Sequence, residues 1–78
     1  MTVVAETTEF PGSSNLVSAT YDPDVENLVI EFADGSVYTY FNVPTSVYRG
    51  LQTAGSAGQY FYRNIRQRYA YEIGDVSS

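Results

Sequence analysis

The chain has no cysteine, no histidine and no lysine. Without cysteine there is no disulfide, no thiolate nucleophile and no Cys-ligated zinc. Without histidine the commonest general base and the commonest transition-metal ligand are gone. The lack of lysine removes Schiff-base chemistry and a P-loop lysine, leaving four arginines as the only cationic side chains. No apolar run approaches the roughly 18 residues needed to span a bilayer. The N-terminus lacks a basic region followed by an apolar one, which argues against a secretory signal. A soluble, cytoplasmic protein without metal or cofactor is the expectation.

What is present is one small domain of 78 residues. Chains of this size bury only about 60% of their unfolded surface, so the core is thin. The net charge of −5 is unevenly placed. Residues 1–48 carry seven acids (Glu6, Glu9, Asp22, Asp24, Glu26, Glu31, Asp34) and no base, a balance of −7. Residues 49–78 carry Arg49, Arg63, Arg66 and Arg68 against Glu72 and Asp75, a balance of +2. A chain that is acidic overall is a poor generic nucleic-acid binder, yet its positive charge is concentrated late.

The pattern centres on Leu28–Phe41, two strands of a hairpin around Asp34-Gly35. A two-residue Asp34-Gly35 loop would set Phe32 against Val37 and Glu31 against Tyr38. A three-residue Ala33-Asp34-Gly35 loop, with Gly35 left-handed in a G1 bulge, sets Ile30 against Tyr38 and Leu28 against Tyr40. The second register gathers Leu28, Ile30, Phe32, Tyr38 and Tyr40 on one face, and the hydrophobic pattern favours it.

Ahead of the hairpin, residues 1–14 read as a flexible arm, with Val3-Val4 as an alternative edge strand. Leu16–Tyr21 alternates as a strand, and Asp22–Asn27 is a turn cluster. After Val43-Pro44, the spacing of Val47, Tyr48, Leu51 and Ala54 predicts a helix that Gly55 ends. Ser56 and Gln59 fit a capping box for a second helix, with Phe61 and Ile65 inward and Tyr62 and Tyr69 flanking them. Ala70–Ile73 reads as either a short strand or an extended tail, and residues 74–78 as a disordered tail. The expected fold is α+β, a three-stranded antiparallel β-meander followed by two helices on one face (β-β-β-α-α), with the domain proper at 15–73. The open edges of such a sheet leave a monomer or a weak edge-strand dimer.

Few residues suggest chemistry. Asp22-x-Asp24-x-Glu26 resembles the start of a calcium loop, but an EF-hand needs glycine where Asn27 stands and glutamate where Ala33 stands. Ser13, Ser14, Ser46 and Ser56 have no histidine or lysine to activate them, so no enzyme is expected. The free N–H groups at Ser56 suit an anion, though the cap already accounts for them. The informative cluster is Tyr60, Tyr62, Arg63, Arg66, Arg68, Tyr69 and Tyr71, with Arg49 an outlying cation. Arginine beside tyrosine serves single-stranded nucleic acid and protein hot spots alike. The alternative is that Tyr62 and Tyr69 belong to the core while the arginines pair with the upstream acids.

An ordered set of residues then points to a family. It runs through Ser14-Asn15-Leu16, Tyr21-Asp22, Leu28, Phe32, Gly35 and Tyr38-x-Tyr40. It continues through Val43-Pro44, Tyr48, Leu51, Ala54, Ser56-x-Gly58, Phe61, Ile65-Arg66 and Tyr69. From Ser13 to Tyr71 the chain resembles the KTSC domain, found at the C-terminus of some lysyl-tRNA synthetases and as free-standing small proteins of bacteria and phages. That attachment implies a link to RNA by association, and the resemblance supplies no catalytic or ligand residue. Two functions are expected from different classes: a protein-binding regulator of phage or bacterial type with an unknown protein partner, or a module binding tRNA or single-stranded RNA. The candidate surface for either is Tyr62, Arg63, Arg66, Arg68, Tyr69 and Tyr71, with Arg49.

Overall fold

A computed structural model describes residues 5–75. Its elements are β1 (Glu6–Glu9), β2 (Leu16–Asp22), β3 (Asn27–Phe32), β4 (Ser36–Tyr40), α1 (Thr45–Thr53), α2 (Ala57–Asn64) and β5 (Tyr71–Asp75). The strands form a single antiparallel sheet in the order β1-β2-β3-β4-β5.

This corrects the expected three-stranded meander: the sheet has five strands, and the last follows the helices. The protein remains α+β. β1 lies within the stretch read as a flexible arm, and β5 takes in Gly74 and Asp75 from the stretch read as a disordered tail. Val3-Val4 and residues 76–78 lie outside the described residues. β1 is held by its partners rather than by its own pattern, while β5 realises the strand alternative for Ala70–Ile73. β1 (Glu6-Thr7-Thr8-Glu9) has no apolar alternation, yet its ladder aligns Thr8 with Ala19 and Glu6 with Tyr21. Tyr48 and Thr8 share a hydroxyl hydrogen bond of 2.7 Å, and Gln52 Nε2 donates to Thr8 Oγ1 at 2.8 Å.

The β3–β4 hairpin adopts the three-residue loop. Leu28 pairs with Tyr40 and Ile30 with Tyr38. Gly35 has φ +93°, a left-handed conformation costly for any residue with a Cβ. Asp34 accepts from the Ser36 hydroxyl (2.6 Å) and the Ser36 N–H (3.0 Å), and those two bonds hold its carboxyl below the usual carboxylate range.

Strand alternation therefore gives the sheet one apolar face, which the helices cover. Ala19, Tyr21, Leu28, Ile30 and Tyr40 meet Tyr48 and Leu51 of α1 and Phe61 of α2, with Leu16, Val43 and Ile65 completing the core. The Tyr21 and Tyr48 rings stack at 4.9 Å, and Tyr21 donates to the Val43 carbonyl at 2.6 Å. Buried tyrosines need such partners, and these two have them. Among the described residues no helix is long and apolar enough to cross a membrane.

The helices depart in detail from the sequence reading. Pro44 is the N-cap of α1, and α1 ends through an extended Ala54 rather than at a left-handed Gly55. Ser56 caps α2 as expected, accepting from the Gln59 N–H at 3.3 Å. α2 stops at Asn64, where Ile65 and Arg66 both donate to the Phe61 carbonyl. The chain then turns tightly back to β5, leaving Tyr71 and Ile73 of that strand exposed.

Candidate functional site

That early stop positions the site. Tyr38 and Tyr40 of β4 stand on the helix-covered face, and their cross-strand partners there are Ile73 and Tyr71. The Tyr71 ring lies 5.4 Å from both the Tyr38 and Tyr40 rings, and Phe32 meets Tyr38 edge to face at 5.2 Å. Tyr40 is buried and also touches Phe61 at 5.5 Å, whereas Tyr71 is half exposed. The result is an aromatic floor that the helices cover on only one side.

Two clefts open on this floor. One, of about 360 Å³, lies between the hairpin tip and α2 and is lined by Phe32, Tyr38, Tyr40, Phe61, Tyr62 and Arg66, with Asp34 and Ser36 at the hairpin end. The other, of about 440 Å³, is lined by Tyr38, Tyr40, Arg66, Gln67, Tyr69 and Tyr71. Arg66 belongs to both. Its guanidinium sits 4.7 Å from the centre of the exposed Tyr62 ring, a cation–π contact that orients the charge at an exposed site.

Burial pushes the Tyr40 hydroxyl up to about 12; the nearby Tyr38 and Tyr71 hydroxyls add to the shift and Arg66 opposes it. Tyr40 is therefore a neutral hydrogen-bonding group at physiological pH. The clefts offer aromatic walls, phenolic hydroxyls and one cation, a combination suited to recognition.

The expected surface is brought together in part. Tyr62 and Arg66 meet directly, and Tyr69 and Tyr71 line the same cleft as Arg66. Arg68 leans the other way, donating from Nε to the Arg63 carbonyl at 3.4 Å. Arg63 borders a separate groove of about 710 Å³ between residues 9–15 and the start of α2. Arg49 is elsewhere, bridging Glu6 at 3.4 Å and donating to Gln52 at 2.9 Å. Among the described residues that is the one ion pair, so the pairing of later arginines with upstream acids is not formed there. Tyr62 lies outside the core, and Tyr69 packs against it.

Sequence reasoning treated Tyr38 and Tyr40 as packing residues under the helices and so missed their part in the clefts. The available signal was Tyr71-x-Ile73, whose alternation would set an apolar strand beside Tyr38-x-Tyr40. In the acidic turn, Asp22 Oδ1 accepts from the Asp24 N–H at 3.0 Å, a local turn contact.

The fold and this aromatic cleft describe a small α+β module, and comparison with known proteins supplies its class. The model of the KTSC domain family matches residues 12–69, and the chain belongs to that family. A lysine–tRNA ligase of Nostoc sp. is 40% identical over 62 residues, covering 80% of this chain. The chain spans only 11% of that ligase's length. An uncharacterized protein of Stutzerimonas stutzeri is 40% identical over 60 residues, covering 76% of this chain and 84% of its own length. The crystal structure of a KTSC domain protein from Yersinia pestis superimposes with a TM-score of 0.82 at 28% identity, covering 88% of this chain and 96% of that one.

Proposed function

We propose that the chain is a non-catalytic, cytoplasmic protein-binding module that docks a partner at the paired aromatic clefts around Arg66. The observation carrying this reading is that one guanidinium, steadied on Tyr62, borders two clefts sharing Tyr38 and Tyr40 as walls. Interface hot spots favour aromatic anchors and arginine in a partly desolvated setting. Walls of this kind take an apolar or aromatic side chain of the partner, and Arg66 adds a preference for a neighbouring carboxylate.

The test is affinity capture from nuclease-treated host lysate. A reproducible protein partner is expected with the natural chain, and its recovery should be lost with Arg63→Glu plus Arg66→Glu. Nothing reproducible with the natural chain would count against the reading.

A second reading is RNA binding. It is favoured by the relatives' name, lysine–tRNA ligase, together with exposed Tyr62 and Tyr71 beside Arg66. Rings of this kind stack on bases while guanidinium meets phosphate. It requires tRNA or short single strands to bind at low salt and to weaken modestly as salt rises, in keeping with only three or four cationic contacts.

A further inference from the structure

The two edges of the sheet are unlike. β1 (Glu6-Thr7-Thr8-Glu9) carries two acids and no apolar residue, so charge opposes pairing with another chain and nothing offsets it. β5 also carries two acids, Glu72 and Asp75, but it exposes Tyr71 and Ile73, 49% and 66% accessible, and has no proline in the strand. It is the apolar edge of the sheet.

Its hydrogen-bonding phase can be worked out. The Phe41 N–H donates to the Ala70 carbonyl at 2.9 Å, and these two positions continue the register in which Tyr40 faces Tyr71. Pairs in an antiparallel ladder alternate between hydrogen-bonded and non-hydrogen-bonded. Ala70, Glu72 and Gly74 thus direct their backbone groups to β4, while Tyr71, Ile73 and Asp75 turn theirs to the open edge.

We propose that β5 pairs antiparallel with β5 of a second copy of this chain, centred on Ile73. In that register Ile73 exchanges both backbone bonds with Ile73 of the second copy, and Tyr71 does so with Asp75. Every group in these bonds already faces outward. On the outer face Glu72 meets Gly74 of the second copy, so the carboxylate faces the residue with no side chain. The neighbouring in-phase register, centred on Glu72, would set two carboxylates against each other, which cross-strand energetics disfavour. A two-fold axis perpendicular to the sheet makes the contact isologous and keeps both helical layers on one side. The occupant is a second copy because the strand complements itself in hydrogen-bond phase and apolar contact, and the register sets each Glu72 against a glycine instead of a second carboxylate. One five-residue strand per copy buries less than a standard stable interface, so the dimer should dissociate on dilution.

Sedimentation velocity over a concentration series provides the test. The natural chain should show a concentration-dependent dimer. Ile73→Pro removes one N–H, which faces the open edge and leaves the β4 ladder intact, and should abolish the dimer. A Cβ at Gly74 would sit 3.6 Å from the Val37 carbonyl, an ordinary contact, so substitutions there spare the subunit. Gly74→Glu sets two pairs of like charges across the seam and should weaken dimerisation about tenfold. Gly74→Arg should tighten it. A natural chain that stays monomeric throughout overturns the proposal, and so does a dimer unmoved by both Ile73→Pro and Gly74→Glu.

Discussion

Tyr40 is where packing and recognition meet in one side chain. Its ring is core, in contact with Phe61, while its edge lines both clefts. Folding favours its neutral form, since burial holds its pKa at about 12 against an ordinary 10. Below pH 10 both folded and unfolded states are protonated and stability does not depend on this group. Between pH 10 and 12 the unfolded chain ionises first, so stability falls as pH rises. Burial also raises Tyr48, which adds to the same alkaline limb. Tyr40→Phe should therefore show a shallower loss of stability above pH 10, measured as urea midpoints at pH 9 and pH 11. Equal slopes for the variant and the natural chain would show that Tyr40 makes no such contribution.

The helices owe their close approach to Gly50. In isolation a glycine inside α1 weakens the helix by about 1 kcal/mol relative to alanine, so the substitution would look stabilising. In the fold an added Cβ would lie 2.6 Å from Tyr60 Cζ, well inside contact distance, and Tyr60 packs against the core. Gly50→Ala should thus destabilise by about 1–3 kcal/mol, the usual range for overpacking. Paired with Tyr60→Ala, the penalty should largely vanish, because the coupling is direct. Urea unfolding of the two single variants and the double variant measures it. From the sequence, Gly50 reads as a helix-weakening residue unless close packing against the sheet requires it. The contact is instead with α2, whose placement depends on the tight connection through Gly55 and Ser56.

At the level of the whole molecule, β5 extends the sheet as its last strand and completes the site. The strand supplies Tyr71 beside Tyr40 and Tyr38, and without it the aromatic floor has an exposed side. A chain ended after Ala70 should lose at least about 2 kcal/mol of stability, from the apolar contact of Tyr71 and Ile73 with the sheet. The loss would appear as a lower urea midpoint with increased tyrosine exposure. A midpoint equal to that of the complete chain would mean that β5 is peripheral. The comparison also bears on the clefts, since the one between Arg66 and Tyr71 cannot exist without this strand.

Much of the fold was legible because local patterns were strong. The alternation in β2, the apolar consistency of the three-residue hairpin and the Ser56 cap each draw their cause from residues close in sequence. The ordered residues from Ser14 to Tyr69 pointed to the KTSC family for the same reason. β1 was not legible as a strand, because polar Glu6–Glu9 carries little strand preference of its own, and β5, readable at Ala70–Ile73 as either a short strand or an extended tail, had no visible partner. Their partners lie across β-ladders, and the β4–β5 pairing spans both helices. The site followed the same division. Composition alone removed cysteine, histidine and lysine chemistry and brought the late arginines into view. Only the tertiary structure separated Arg49 from Arg66, joined Tyr62 to Arg66 and set β5 beside β4, because those relations arise from where α2 ends and which strand edge remains open.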